Sequence, residues 1–443
     1  MISAIALVDA NNFYVSCERL FRPDLRARPV VVLSNNDGCI VSRSNEAKAL
    51  GIRMAEPAFK ARDLLELHNV VVFSSNYALY GDLSRRMFAI LKEYSPVAEY
   101  YSIDEAFIEL QASDEAELEQ IGRRIRARVQ RDIGIPVSIG IAATKTLAKV
   151  AAHHAKQSAK TRGVLNLFNS PHLDLALERM PIDEIWGLGR KLSQRLLGRG
   201  FVNAKRLRDG NDDDLKRVLN IVGMRTVFEL RGIPCSAIEA GGRPRKMIIV
   251  SRSFGQAIYD YDNLAAAVTY HTIRAAEKLR RGGQVAGQFT VYLRTNRFRD
   301  EDERYSGSIT LPLTPKTDTT PELLHVALAG LPQIYERGRR YAKAGVMLTD
   351  LTAAEALPLR LWGHERHERA RRLMLALDEV NAKFGQDTVL FGVPEQGAQW
   401  KMRSELRSAC YTTRWDELLK VGEETGAKTS VTLSTQLQEF QPL

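Results

Sequence analysis

The chain has 443 residues, 44% of them hydrophobic and 26% charged, which excludes disorder over most of its length and is too much chain for one core, so three or four domains are expected. Lysine and arginine exceed aspartate and glutamate by 63 to 53, a formal charge of +10 that suits a polyanion such as nucleic acid without demanding one. Cys17, Cys39, Cys235 and Cys410 show no paired spacing, which excludes a zinc ribbon or a disulfide framework; no basic leader precedes Met1–Val8 and no later run approaches a membrane-spanning length, so a soluble cytoplasmic protein with no membrane partner is expected.

In chain order, Ile5–Val8 reads as a buried strand that ends on Asp9, and Asn11-Asn12-Phe13-Tyr14 leads into a helix. Val30–Leu33 is a second short strand, followed by the turn-rich Ser34-Asn-Asn-Asp-Gly38 and by a helix over Ser44–Leu50 closed by Gly51. Helical spacing covers Tyr80–Glu93. Val97–Leu110 then predicts two strands meeting at Ile103-Asp104-Glu105. An amphipathic helix over Glu115–Asp132, a strand over Val137–Ile141 and an alanine-rich helix over Lys145–Lys156 complete an α+β pattern as far as Leu167.

After Asn169-Ser-Pro171 the pattern shifts to short helices up to Arg231, and Gly241-Gly-Arg-Pro-Arg-Lys246 has the composition of a linker. Strands over Met247–Ser253, Gln288–Arg294, Gly307–Leu313 and Tyr341–Leu348, with helices over Leu264–Arg280 and Glu322–Arg337, describe a second, smaller α+β domain. Glu365–Phe384 is a helix in a tail that ends in the polar stretch Gly422–Leu443.

Phosphoryl transfer needs hard oxygen ligands that share Mg²⁺ with substrate phosphates, and two metal ions need at least two carboxylates. Asp9 and the Asp104-Glu105 pair offer that set, although an alternating strand would send 104 and 105 to opposite faces unless the chain bends there. On the residues alone each carboxylate serves equally well as a strand-end cap. Phe13-Tyr14 reads as core packing, and Lys145, Lys149 and Lys156, which share one helix face at about 100° per residue, as a phosphate contact or a solvated basic face. Ile185-Trp-Gly-Leu-Gly-Arg190 is either a helix–helix turn or a site where glycines bare backbone N–H groups to a phosphate. His153-His154 and His364-Glu-Arg-His367 lack further ligands at matching spacing, so neither is a metal site.

Five stretches in order carry a resemblance: Val8-Asp-Ala-Asn-Asn-Phe-Tyr-Val-Ser-Cys-Glu18, Ser34-Asn-Asn-Asp-Gly-Cys39, Ser74-Ser-Asn-Tyr-Ala-Leu-Tyr80, Tyr101-Ser-Ile-Asp-Glu-Ala-Phe107 and Ser138-Ile-Gly-Ile-Ala142. Together they resemble the motifs of Y-family DNA polymerases. Ser34–Cys39 and Thr144-Lys-Thr-Leu-Ala-Lys149 are similar to the UmuC branch in particular, and the likeness runs on to Tyr411-Thr-Thr-Arg-Trp415.

The resemblance implies an α+β multidomain right hand: a palm over 1–22 and 73–167, small fingers over 23–72, a helical thumb with a helix-hairpin-helix over 168–240, a C-terminal little finger over 243–352, and a tail for protein partners over 353–443. It implies error-prone synthesis past lesions in the SOS response, with Asp9 and Asp104 binding two Mg²⁺ ions, Glu105 assisting and the Ala10 carbonyl completing a site. Tyr14 would be the steric gate beneath the sugar of the incoming dNTP, with Phe13, Asn45, Lys48 and Lys156 around the nucleotide. Asn45 and Lys48 stand where many members carry tyrosine and arginine, and Arg43 or Asn36 would strengthen a looser grip on the triphosphate. Gly187, Gly189, Lys191, Arg243, Arg245 and Arg252 would contact primer–template DNA, with Lys246, Arg294, Arg297 and Arg299 as further candidates. Implied partners are a processed UmuD-type dimer, RecA and the sliding clamp, the last through Leu359, Leu361 and Trp362 or through Gln436, Leu437 and Phe440.

Overall fold

The computed structural model describes residues 1–241, 244–296, 304–356, 364–392 and 403–418, with the backbone alone at 364–367. The chain divides into two compact units, Met1–Gly242 with Glu405–Leu443, and Arg243–Ser404. The boundary falls in the Gly/Pro/basic stretch that reads as a linker.

The first unit is built on β1 (Ile2–Ala10), α1 (Phe13–Phe21), β2 (Val30–Leu33), β3 (Ile40–Arg43), α2 (Asn45–Ala49), α3 (Ala58–Leu67), β4 (Val71–Ser74), α4 (Tyr77–Tyr94), β5 (Ala98–Tyr100), β6 (Glu105–Ala112), α5 (Glu115–Asp132), β7 (Val137–Ala142), α6 (Lys145–Gln157) and β8 (Val164–Asn166). A five-stranded sheet runs in the order β5-β6-β1-β7-β8, and a separate three-stranded sheet, β3-β2-β4, makes a small lobe with α2 and α3. In the larger sheet β1 is central and antiparallel to both neighbours. Alternation along β1 sends Ala4, Ala6, Val8 and Ala10 to the face covered by α4 and α5, and Leu7 to the face covered by α6. Both faces are dry, which is why β1 and β7 read as near-continuous apolar runs.

Gly140 explains the Ser-Ile-Gly-Ile-Ala motif. A Cβ there would lie 2.1 Å from the Ala152 backbone nitrogen and 2.3 Å from the Ala148 carbonyl oxygen, so only glycine lets α6 lie directly on β7. Short helices α7 (Leu173–Glu178), α8 (Arg190–Leu197), α9 (Ala204–Arg208), α10 (Asp212–Lys216) and α11 (Ile221–Leu230) follow and share a core with α6. The buried Glu229 carboxylate accepts from the Thr146 backbone N–H at 2.9 Å and its hydroxyl at 2.6 Å, tying α11 to the start of α6.

The second unit contains β9 (Ile248–Ile258), α12 (Tyr261–Arg281), β10 (Gln284–Thr295), β11 (Ser306–Thr317), α13 (Thr320–Gly330), β12 (Tyr341–Ala353) and α14 (His364–Phe384), with the sheet ordered β11-β10-β12-β9. Helices α12 and α13 cover one face. Helix α13 stops earlier than its apolar spacing suggests, because Gly330-Leu-Pro332 turns the chain into a 3-10 turn over Leu331–Gln333.

Residues 353–443 are not the single tail that the sequence suggests. Helix α14 belongs to the second unit, where Met374 is buried and Arg280 holds Asp378 through two bonds of 2.7 and 2.8 Å. Residues 405–418 return to the first unit, where Ser408 and Cys410 are buried. Apolar and hydrogen-bonding positions spaced along both stretches need cover, and each unit supplies it.

Candidate active site

Register assembles the acidic cluster. Asp9, at the end of β1, pairs with Glu105 on β6 and with Ser138 on β7, and by alternation all three share the face of Leu7 and Phe107, beneath α6. Helix α6 runs across this face and its lysine stripe meets carboxylates strand by strand. Lys145 reaches Glu99 on β5 at 2.5 Å, Lys149 reaches Glu105 at 2.8 Å, and Lys156 reaches Asp9 at 2.5 Å. The stripe is thus neither a solvated face nor a common phosphate grip. Lys145 is 3% exposed and also donates to the Ala237 carbonyl, so it fastens the helix, whereas Lys156 meets Asp9 at the end of β1.

Asp104 precedes β6 in the expected bend. Its carbonyl accepts the Ala10 N–H at 2.9 Å, and the Ser102 hydroxyl, which donates to Asp104 Oδ1 at 2.5 Å, accepts the backbone N–H groups of Asp104 and Glu105 at 3.2 and 3.0 Å. Two acidic residues adjacent in sequence are thereby brought beside the end of β1. Ala10 itself is buried and pairs with Val137.

Electrostatics describe a site short of positive charge. Burial pushes the Asp9 carboxyl up to about 7, with Lys156 partly offsetting this and the hydrogen bond to Glu105 adding to it. Glu105 is half-buried, and although that desolvation opposes the shift, the interaction with Asp9 and then Lys149 hold it below the ordinary glutamate range. Each acid also pairs with a lysine ammonium group. Among the described residues no three acidic or soft side chains close on a metal as they stand, and Asp104 is turned to Ser102. The donor set nevertheless fits a divalent cation: hard oxygens, one of them on a carboxyl that burial raises to about 7 and that added positive charge would favour ionising.

Lys149 has an aromatic enclosure that spacing does not reveal. Its Nζ lies 4.5 Å from the Tyr101 ring centroid, 5.5 Å from Trp186 and 5.7 Å from Phe107, while the Trp186 Nε1–H donates to Tyr101 Oη at 3.0 Å. The clue lay in plain view, since Tyr101 and Phe107 bracket the acidic pair and Trp186 precedes the Gly-x-Gly, but nothing local says that they meet.

Phe13 is committed to the core at 3% exposed, so of the aromatic pair only Tyr14 keeps an open side. The Tyr14 ring stacks on Tyr80 at 4.6 Å and 15° and meets Tyr77 edge-on at 6.0 Å. Burial, then the Tyr77 and Asp104 charges, push its hydroxyl up to about 12. Asn12, in the left-handed region at φ 47°, turns from β1 into α1 and receives the small lobe. Its amide donates to Asn45 Oδ1 at 3.0 Å and its carbonyl accepts Lys48 Nζ at 2.6 Å. Burial, then Arg43 and Lys156, lower the Lys48 pKa, so Asn45, Lys48, Lys156 and Asp9 form one neighbourhood. Arg43, also close to Lys48, donates to the Ile52 carbonyl.

Gly187, at φ 87°, Gly189 and Lys191 are exposed at the entry to α8, and no atom lies within 4 Å of a Cβ added to Gly189. His154 Nε2 lies 2.8 Å from the Ala176 carbonyl oxygen, a structural contact. In the second unit Arg245 and Arg252 are exposed, but Arg252 pairs with Ala344 on the helix-covered side, whereas Arg294 and Lys343 face each other on the open side. Burial and then Arg252, Arg245, Arg281 and Arg274 lower the Lys278 pKa, so Arg252 and Arg245 both lie near α12, Arg252 on the helix-covered side of the sheet. Arg243, Arg297, Arg299, Leu359, Leu361, Trp362, Gln436, Leu437 and Phe440, and the side chains of His364 and His367, lie outside the described residues.

Family models place these features. The impB/mucB/samB family matches residues 8–153, which hold the acidic cluster and most of α6, and the impB/mucB/samB family C-terminal domain matches 245–361. A domain of unknown function (DUF4113) matches 371–421. Protein UmuC of Salmonella typhimurium is 41% identical over 94% of this chain and 99% of its own length. The chain belongs to the impB/mucB/samB family. It is a UmuC-type Y-family polymerase, a DNA-directed DNA polymerase whose substrate is DNA, and Y-family polymerases in general depend on divalent metal. Protein MucB of Escherichia coli is 37% identical over 93% of this chain and 97% of its own length, and DNA polymerase IV of Bacillus velezensis is 25% identical over 89% and 94%. A solved Y-family DNA polymerase chimera shares the fold, with a TM-score of 0.62 at 20% identity over 78% of this chain and 98% of that one. No described helix of this family member is long and apolar enough to cross a membrane.

Proposed function

We propose that Asp9, Asp104 and Glu105, with the Ala10 carbonyl, hold two Mg²⁺ ions at the end of the α6-covered face. The chain is a DNA-directed DNA polymerase of the UmuC type, and its activity is error-prone translesion synthesis in the SOS response. Bound there, the ions would acidify a primer 3′-hydroxyl and neutralise the departing pyrophosphate. The carboxylates would hold the ions, Lys149 aims Glu105, and Lys156, paired with Asp9 here, would turn to the triphosphate once cations took its place. Asn45 and Lys48, already fastened to Asn12, line the triphosphate side. Tyr14 lies flat under the sugar, where a 2′-hydroxyl has no room.

The observation that carries this reading is the pairing of Asp9 with Glu105 across neighbouring strands, with Asp104 held one residue away by the Ala10–Asp104 hydrogen bond. Gly187, Gly189, Lys191, Arg245, Arg294 and Lys343 are proposed to hold the DNA backbone. A processed UmuD-type dimer, RecA and the sliding clamp are proposed partners, and the DNA substrate argues for work at the nucleoid in the cytoplasm.

Asp104→Asn should lower extension of a primed lesion-bearing template by about 10³-fold or more, with DNA binding retained in a gel shift. Extension at wild-type rate would remove Asp104 from the metal site. Adding the UmuD-type partner and activated RecA in turn tests the dependence on each.

A further inference from the structure

Residues 405–411 fold back onto the chain near its start. Ser74 donates its N–H to the Leu406 carbonyl at 3.1 Å, and its hydroxyl accepts the Leu406 N–H at 3.1 Å. Asn76, 1% exposed, caps α4 with its carbonyl by accepting the Leu79 N–H, and its amide donates to the Ser408 carbonyl and hydroxyl at 3.0 Å and to the Ala409 carbonyl at 3.1 Å. Tyr411 stacks on Phe21 at 4.6 Å. Backbone, amide and ring thus hold the returning segment on α1 and α4.

The returning segment feeds a buried polar relay. Ser408 donates its hydroxyl to Glu18 Oε1 at 3.0 Å, and Tyr80 donates its own to the same oxygen at 2.5 Å. Glu18 and Tyr80 are 0% exposed, and the Tyr80 ring is the surface on which Tyr14 stacks. A carboxyl sealed in a core is costly where packing alone would serve. What it supplies is direction, because two hydroxyls converging on one oxygen set the position of the Tyr80 ring.

We propose that residues 405–411 are a positioning clip for the sugar gate, in which Ser408, Glu18 and Tyr80 are positioning residues that hold the plane against which Tyr14 rests. The inference depends on Tyr14 being the gate. It assigns to part of a segment that the domain of unknown function (DUF4113) matches a role in choosing deoxyribonucleotides over ribonucleotides.

The test uses the full chain and compares kcat/KM for a ribonucleoside triphosphate with that for its deoxy counterpart on one primer–template. The folded fraction cancels in that ratio, so a variant that merely folds less well does not move it. Tyr14→Ala is expected to raise ribonucleotide use relative to deoxyribonucleotide about 100-fold. Tyr80→Phe, which keeps the ring and loses the bond, should raise it about tenfold, and Ser408→Ala about threefold. Because the two act through one oxygen, the double variant should not exceed Tyr80→Phe alone. Glu18→Ala should resemble Tyr80→Phe, and Glu18→Gln, whose carbonyl accepts both hydroxyls, should recover most of the discrimination. If Tyr14→Ala relaxes the ratio while Ser408→Ala and Tyr80→Phe leave it at the wild-type value, the clip is overturned and the gate stands. If Tyr14→Ala leaves the ratio unchanged, the gate reading fails and the clip with it.

Discussion

The two sheets of this molecule are built to opposite plans. In the first unit β1 is covered on both faces, and a carboxylate at its end has almost no water to ionise into. In the second unit β11 alternates exposed and half-covered positions, because helices pack on one side only and the other carries Thr310, Gln288, Arg294 and Lys343. The first sheet concentrates charge by desolvating it, and the second spreads charge where water still screens it. Chemistry suits the first, and sequence-blind grip on a phosphate backbone suits the second.

The sharpest way to break this contrast is Asp9→Asn. Extension should fall about 10³-fold, yet metal-free stability at pH 8 should be unchanged or higher, since asparagine needs no proton to sit in that pocket. Thermal unfolding without metal beside primer extension with it reads both, and a destabilised variant would contradict the desolvated site. Lys149→Met keeps the length of the side chain among Tyr101, Phe107 and Trp186 but strips the charge that orders Glu105, and about a 10- to 100-fold loss in kcat is expected with little change in DNA affinity.

The pH dependence follows from Asp9 and Glu18, both raised by burial to about 7, Glu18 against the opposing pull of Tyr80, Ser408 and Arg22. Between about pH 4 and 7 the folded protein therefore holds protons that the unfolded chain has released. Metal-free stability should be greatest at the acid end of that window and decline as pH rises through 7, by roughly 1–3 kcal/mol per group. Urea midpoints at pH 5.5 and 8 measure it, and Glu18→Gln should flatten part of the slope; a stability that rises over this range would refute the desolvated acids. The smallest effects belong to the open sheet. Arg294→Ala and Lys343→Ala should each weaken DNA binding about threefold and reduce the salt slope by about one, while stability stays within about 0.5 kcal/mol. Arg252→Ala, on the other face, should leave that slope unchanged.

Much of the fold was legible because the signals were local. Buried runs such as Val137–Ile141, the helical spacing over Glu115–Asp132 and Lys145–Lys156, and the linker around Gly241 announce their elements within a few residues. The end of α13 and the fate of the tail were not legible, since a Gly-x-Pro stop and a returning segment are decided by what covers them.

For the site, sequence by itself settled which residue types were present and in what order: the acids at 9, 104 and 105, the aromatic pair, and a lysine stripe of helical period. Tertiary structure alone decided their partners. Strand register set Glu105 against Asp9, the tilt of α6 matched three lysines to three strands, and a segment some 390 positions away reached Glu18. The physical reason is that period and capping act over one turn or one pleat, whereas register and burial are properties of surfaces that exist only after the chain has closed on itself.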